Sequence, residues 1–544
     1  MLLQIKKPNN LKFYLILFSL FFVIFLYTSD GHRFTFDEDV ASQQSKRIAT
    51  FSPDPSYVQG ESRFFFEYPT LFLAEYNDRP ICQNAILCSH GMIMHSLTQV
   101  PFVLINHHFN FITDDLIWTM DDFDDFHYIH WRNSLDNDFT FMEFFYAPFF
   151  TSLSLVVFFL ISKTYCFSVK TSLVLVFLFG LSTIVWAYSQ TSLNSVPFIF
   201  FILTGFFYYR KFQNTKSTFN LILSSIFFGI AFLTRNDAIL FIGTLFIFLL
   251  IILIKKNMKL KVIAFSIPVS FSYLIYRFIQ AVRIGDGSTQ TAANEYVLKG
   301  TQSDVPDLLI SALVIPKLLY SSLLVHPVHL HAFGLLFSPG AGLFIFSPIL
   351  ILCFVGFFDF YKKYKFDFFL IISFVTIFVA FYSMNVYWHG FNGWATRYLL
   401  PTIPFLLLPL GASIEKRTNI FFKVSVIILG ITGGIINLVY LLQDVAWFVW
   451  GSFGSDSRGL YSLARKNDGN VHDLWINPVI IWTFEFSQIT QSALWLIAKP
   501  QFDLFLLKMF GPELFVLSFM LIIPVLLFLL LKTSKTFIDS PNNL

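Results

Sequence analysis

Leu11-Lys-Phe-Tyr-Leu-Ile-Leu-Phe-Ser-Leu-Phe-Phe-Val-Ile-Phe-Leu-Tyr27 is an apolar run, and Asp37-Glu38-Asp39 stands ten residues beyond it. A bilayer core of about 30 Å is crossed by about 20 largely apolar residues, so the run predicts a membrane span. Lys6, Lys7 and Lys12 precede or open it, as in a signal peptide. The run exceeds the usual apolar region of such a peptide, and no small-x-small site precedes Asp30, so an uncleaved first span is expected. Carboxylates beside a bilayer lose solvation and draw cations or substrates. An acidic triplet there points to an enzyme, although a short solvated acidic loop would read the same from spacing alone.

The rest of the chain agrees with a membrane setting. Of 544 residues, 55% are hydrophobic and only 13% charged, with mean hydropathy +0.65. Soluble domains carry about 25% charged residues. The net charge of +3 and the lack of a basic tract interleaved with stacking aromatics exclude nucleic acid as a partner. Four cysteines make no disulfide framework. Cys82 and Cys88 could pair in an oxidising outer compartment or remain two small unpaired residues; Cys166 and Cys353 read as packing residues.

Apolar runs near 11–27, 141–161, 171–188, 193–209, 219–234, 238–254, 262–280, 341–360, 368–387, 398–413, 424–442 and 513–531 predict an all-α integral membrane protein of about twelve transmembrane helices. With the N-terminus inside, every inner connection is basic and together they hold more than half of the 37 Lys and Arg. Two further apolar stretches, 85–105 and 308–325, carry polar residues. Counting either alone as a span would place Lys362, Lys363 and Lys365 outside. Both are therefore expected to lie along the outer interface, polar residues toward water and apolar sides toward lipid. Three long segments then share the outer face: 28–140, 281–340 and 443–512. No repeat links the two halves, as in many transporters.

Several constellations could carry chemistry. Asp37 reads as a general base for an acceptor hydroxyl, with Glu38 orienting it or holding a metal. Asp114-Asp115 and Asp121 to Asp125, flanked by His107, His108, His127 and His130, form a dense donor set without fixed ligand spacing. Asp114 and Asp115 are weak metal candidates beside the plainer reading of a hydrated acidic surface. No cofactor is required, and a divalent cation is compatible. His329 and His331 would share a face if their segment were extended. Arg235 and Asp237 sit in a very short connection, as a structural ion pair or with Arg235 open to a phosphate. In Trp388-His389-Gly390-Phe391-Asn392-Gly393-Trp394-Ala395-Thr396-Arg397-Tyr398 an interfacial aromatic belt accounts for the tryptophans. Arg397, at the head of a helix, suits an anion. No phosphate-binding Gly-rich loop ending in Lys-Ser/Thr, no Gly-x-Ser-x-Gly elbow and no His-Glu-x-x-His occurs.

Five stretches together resemble the GT-C class of membrane glycosyltransferases, and within it protein O-mannosyltransferases and the lipid A aminoarabinose transferase. Thr35-Phe36-Asp37-Glu38 resembles the Asp-Glu signature after that class's first span. Gly180 to Ser189, ending Trp186-Ala187-Tyr188-Ser189, is similar to Gly-x-Gly-Thr-x-x-Trp-Pro-Tyr-Ser. Gly229 to Arg235 is similar to Gly-Leu-Ala-x-x-x-Arg. Leu336 to Leu343 resembles Leu-Ser-Pro-Gly-Arg-Gly-Leu, and Gly393 to Pro404 resembles Gly-x-x-x-Arg-Tyr-Leu-Leu-Pro-x-x-Pro. Ala341 stands where an Arg is usual, and Ser195 where an acidic residue is often found.

The resemblance implies a GT-C-like catalytic module over 1–442, an outer segment of unassigned role at 443–512, and a last span with an inner tail at 513–544. It implies a polyprenyl-phosphate-linked sugar donor (a hexose or pentose), a glycan, lipid or protein acceptor, and inversion at the anomeric carbon on the outer face of a cell membrane. Asp37 would be the base and Glu38 its support. Arg235, Arg397, Tyr188, Trp388 and His389 would bind substrate. A flippase or transporter of lipid-linked intermediates is the competing reading, though the spans are nearly free of the ionisable residues it needs. A non-catalytic scaffold of the same fold is a third.

Overall fold

A computed structural model describes residues 8–31, 36–51, 92–109, 137–255, 258, 260–284, 328–384, 388–390, 393–443, 481–498 and 502–537. Its helices of ten residues or more are, in chain order, α1 Pro8–Tyr27, α2 Phe36–Thr50, α3 Ile93–Phe109, α4 Asn137–Thr164, α5 Val169–Leu181, α6 Ser195–Thr215, α7 Thr218–Thr234, α8 Ala238–Lys255, α9 Leu260–Ile284, α10 Val328–Phe337, α11 Cys353–Ser383, α12 Ile403–Lys416, α13 Ile420–Leu441, α14 Gln488–Ala498 and α15 Phe505–Thr536. No strand occurs among the described residues. Among the described residues eight helical runs are long and apolar enough to cross a bilayer, and α5, α7 and α10 are shorter apolar helices. The protein is an all-α, multi-pass membrane protein.

Backbone groups in hydrocarbon must bond within their own segment, which is why the apolar runs are helices. α4 and α12 occupy the middle of the bundle, with most of their apolar surface covered by protein, whereas α9 and α15 show most of theirs outward. α1 packs against α4 and α15, burying Phe13, Leu17, Phe21 and Phe25. Tyr27 meets Phe515 and Phe519 edge-on, so the first and last helices pair along their length.

Two expectations need correction. The run 171–188 is helical only to Leu181, then turns and closes in a short 3-10 helix at Ala187–Gln190. Thr183 bends the chain there, its hydroxyl donating to the Phe179 carbonyl at 2.7 Å. The runs 341–360 and 368–387 stay separate as expected: α11 breaks at Tyr364 (φ −130°, ψ 48°) beside Lys362, Lys363 and Lys365 and folds back, bringing Phe357 and Phe368 to 5.5 Å between ring centroids. Second, the described part of 85–105, α3, does not turn its polar side to water. His95, Ser96, Gln99 and Asn106 are buried against α2 and α4, and Leu97, Ile105 and Phe109 are exposed. Polar α2 offers them hydrogen bonds that lipid cannot, such as Ser96 Oγ to Gln44 Oε1 at 2.7 Å. Residues 308–325, Cys82 and Cys88 lie outside the described residues.

Helix direction alternates along the chain. The C-terminal end of α1, the start of α4, the 3-10 turn after α5, the end of α7 and the segment before α12 therefore gather at one end of the bundle. Lys163, Arg210, Lys255, Lys261, Lys363 beside the α11 break, and Arg417 lie near helix ends at the other. Closest approach fixes this frame: a Cβ on Gly356 of α11 would lie 2.2 Å from the Pro409 carbonyl oxygen of α12. Small residues at such crossings let membrane helices touch backbone to backbone. Gly356→Ala is expected to cost about 1–3 kcal/mol by overpacking. Thermal unfolding of the detergent-purified protein checks this; an unchanged midpoint would refute the contact.

Candidate active site

α2 begins at Phe36, so Asp37 and Glu38 occupy its first turn, where the helix dipole favours carboxylates. Glu38 is fully buried. Its Oε1 accepts the Ser192 backbone N–H at 2.9 Å, which compensates a charge that burial would otherwise penalise. The same residue is held through its carbonyl as well. The Ser192 carbonyl accepts from His95 Nε2 at 2.7 Å and Gln99 Nε2 at 3.3 Å, both from α3. Behind Glu38, the Ser42 hydroxyl lies 2.7 Å from the Glu38 carbonyl and 3.2 Å from Glu143 Oε1 of α4. The Asp37 side chain lies outside the described residues.

Tyr188, in the 3-10 turn before Ser192, reaches the opposite wall. Its hydroxyl donates to the Trp394 carbonyl at 3.0 Å. Burial raises its pKa, although Arg397 opposes the rise, so the phenol stays protonated. Arg397, Tyr398 and Glu38 all lie within electrostatic reach of that hydroxyl. Gly393 leaves no alternative to glycine, since a Cβ there would sit 2.5 Å from the Tyr188 oxygen. Trp394 is buried, its Nε1 donates to Asn437 Oδ1 at 3.2 Å, and its ring packs 4.7 Å from Tyr440. Ala395 adopts φ +53°, a left-handed conformation that costs a non-glycine residue about 1–2 kcal/mol. Arg397 then opens a 3-10 helix, Arg397–Thr402, that runs into α12.

Arg235 caps α7 and grips Asp237 with two contacts, Nη2 to Oδ2 at 2.6 Å and Nε to Oδ1 at 3.1 Å. Burial opposes its charge, but Asp237 and Tyr382 outweigh burial and hold its pKa above the usual arginine value. Nη2 also donates to the Tyr382 hydroxyl at 2.9 Å, and that hydroxyl donates to Asp237. The Tyr382 ring stacks on Tyr398 at 4.4 Å, nearly parallel. Arg235 thereby reaches the residue beside Arg397, and the two guanidinium groups act on each other electrostatically.

Trp388 and His389 are both buried. Burial, helped by His331 and Arg397, pushes the His389 pKa down to about 3, so its imidazole is neutral at physiological pH. His331 stacks on Trp388 at 5.4 Å, and its Nδ1 lies 3.0 Å from the Ser383 carbonyl. His329 and His331 do not share a face as an extended segment would allow, because both lie in helix α10. Ala341 is buried in a tight turn where its N–H donates to Ser338 Oγ at 3.2 Å.

The fold thus brings Glu38, Tyr188, Arg235, Trp388, His389 and Arg397 to one end of the bundle. Asp114 and Asp115 lie outside the described residues. Among the described residues no group of three His, Cys, Asp or Glu could hold a metal. Sequence reasoning passed over His95, Ser192, Tyr382, Asn437 and Gln488. Their one common signal is a polar side chain in an otherwise apolar stretch. Gln190 Oε1, Ser192 Oγ and Thr396 Oγ1 are also buried beside these residues without a hydrogen-bond partner.

Residues 125–284 match the family model of dolichyl-phosphate-mannose-protein mannosyltransferases. That stretch contains Tyr188 and Arg235, while Glu38 and Arg397 lie to either side of it. No curated protein matches the chain. The mannosyltransferase match, over less than a third of the chain, agrees with the GT-C resemblance and with a membrane glycosyltransferase.

The buried His389 has a testable consequence. Its folded pKa lies below the unfolded value of about 6.5, so the unfolded chain binds the extra proton first. Its contribution to stability is present above pH 6.5 and is lost as pH falls toward 3. The melting temperature should drop between pH 7 and pH 5, and His389→Gln should flatten that slope. Equal slopes for both proteins would show that His389 titrates normally.

Proposed function

We propose that this protein transfers a sugar, mannose by the family's description, from a polyprenyl-phosphate donor to an acceptor hydroxyl, with inversion, on the outer face. The carrying observation is the Tyr188 hydroxyl, which lies within electrostatic reach of both the Glu38 carboxylate and the Arg397 guanidinium at one end of the bundle. Acid and cation thus share the side opposite the basic helix ends, which positive-inside bias assigns to the cytoplasm.

In this reading Asp37 takes the proton of the acceptor hydroxyl, whose oxygen attacks the anomeric carbon from the face opposite the phosphate. The bond from that carbon to the phosphate oxygen breaks, and polyprenyl phosphate leaves with the electron pair. Glu38, pinned by the Ser192 amide, fixes the first turn of α2 and so the position of Asp37. Arg397 takes the phosphate bidentately at a helix start, as arginine geometry allows. Arg235 adds positive potential and steadies Tyr382 and Tyr398 behind Arg397. Trp388 and neutral His389 close the wall beside it. The buried, unpartnered oxygens of Gln190, Ser192 and Thr396 suit sugar hydroxyls. Placement and charge neutralisation carry most of the barrier reduction. A protein hydroxyl is the acceptor that the family description favours, ahead of a glycan or lipid.

Asp37→Asn is expected to fold normally and to lose about 10²–10⁴ in rate, the range for a missing general base. Transfer of radiolabelled mannose from dolichyl-phosphate mannose to membrane protein acceptors measures it; turnover near wild type removes Asp37 from the mechanism. Arg397→Ala should weaken donor binding with a smaller effect on turnover at saturation, and unchanged donor affinity returns Arg397 to a structural role. A flippase would instead move the donor lipid across liposomes without forming acceptor-linked sugar.

A further inference from the structure

Residues 481–498, which no motif assigns to chemistry, touch three walls of the candidate site. The Gly340 N–H donates to the Ile481 carbonyl at 3.0 Å. Trp482 packs against Trp388, with ring centroids 6.3 Å apart. The third contact is the most specific. Gln488, the buried first residue of α14, donates from Nε2 to the Gly393 carbonyl at 3.0 Å, and its Oε1 accepts the Ala395 N–H at 3.1 Å. One amide thus spans two peptide units, and reversing its ends would lose both bonds.

Those peptide units lead directly into Arg397. Between them the Trp394 carbonyl is taken by Tyr188, and the Trp394 indole by Asn437. Ala395 is held at φ +53°, a conformation that persists only where the surroundings overdetermine it. Asparagine is one methylene too short to reach both partners. A carboxylate accepts but cannot donate to the Gly393 carbonyl.

We propose that Gln488 is a positioning residue for donor recognition: its side-chain amide clamps the backbone of Gly393 and Ala395 and thereby sets where Arg397 presents its guanidinium to the donor phosphate. This rests on the reading of Arg397 as the phosphate-binding residue.

The test measures binding of radiolabelled dolichyl-phosphate mannose to the full-length, detergent-purified protein, so no acceptor is needed. Gln488→Ala should raise Kd about ten-fold, mid-range for couplings between contacting groups. In an Arg397→Ala background the same change should add nothing. Gln488→Glu should bind weakly at pH 8 and recover toward wild type as pH falls, because burial raises a carboxyl pKa and the acid form regains an O–H donor for the Gly393 carbonyl. If Gln488→Ala cannot be purified as a monodisperse protein, the pH response of Gln488→Glu relative to wild type decides. Wild-type affinity for Gln488→Ala, a loss additive with Arg397→Ala, or a Gln488→Glu curve parallel to wild type would overturn the clamp. An impaired Arg397→Ala beside a normal Gln488→Ala removes Gln488 alone; a normal Arg397→Ala strikes the donor reading itself and the clamp with it.

Discussion

The bond from the Ser192 amide to the Glu38 carboxylate joins two parts of the chain 154 residues apart. On one side is α2, a polar helix beside the membrane; on the other is an irregular stretch between two apolar helices. A fully buried carboxylate without a donor would be expelled or neutralised. A backbone N–H supplies the donor here, and the carbonyl of the same residue is satisfied by His95 and Gln99 of α3. Loss of that residue's position would cost Glu38, His95 and Gln99 one hydrogen bond each. The arrangement of α2, α3 and the Tyr188 turn follows from this single need.

The rest of the bundle supports it by being dull. α4 and α12 are apolar on nearly every side, and aromatic contacts such as Phe206, Phe241 and Phe374 against Phe405 fill the middle. Irregular backbone near a membrane is tolerated only where protein satisfies it. The 393–397 loop illustrates the rule: Gln488 takes two of its backbone polar atoms, Tyr188 a third and Asn437 its tryptophan indole. At the opposite end the solution is ionic, with Lys416 and Arg417 meeting Asp359 and Arg210 meeting Asp367. Bonds to backbone dominate at the 393–397 loop, with the Arg235–Asp237 ion pair beside it, while ion pairs mark the basic end.

Much of this was legible before any coordinates. Apolar length gives the helices because hydrocarbon leaves the backbone no other choice. Lysine placement orders their ends because charge resists crossing. Tyr188, Arg235 and Arg397 stand out as polar residues at helix boundaries. Helix α3 misled for a physical reason: His95, Ser96 and Gln99 on an apolar helix look the same whether they face water or polar α2. Residues 171–188 misled because Gly180 to Ser189 is apolar enough to continue a span, and only the Thr183 hydroxyl and its neighbours reveal the turn.

Sequence alone determined the all-α membrane class of structure and most of its helices, since these depend on local composition and on the bilayer. Tertiary structure decided which residues meet: Glu38 with Ser192, Tyr188 with Trp394, Arg235 with Tyr382, and Gln488 with the loop before Arg397. Such pairings join residues as much as about 200 positions apart and depend on how helices cross, which no local pattern encodes.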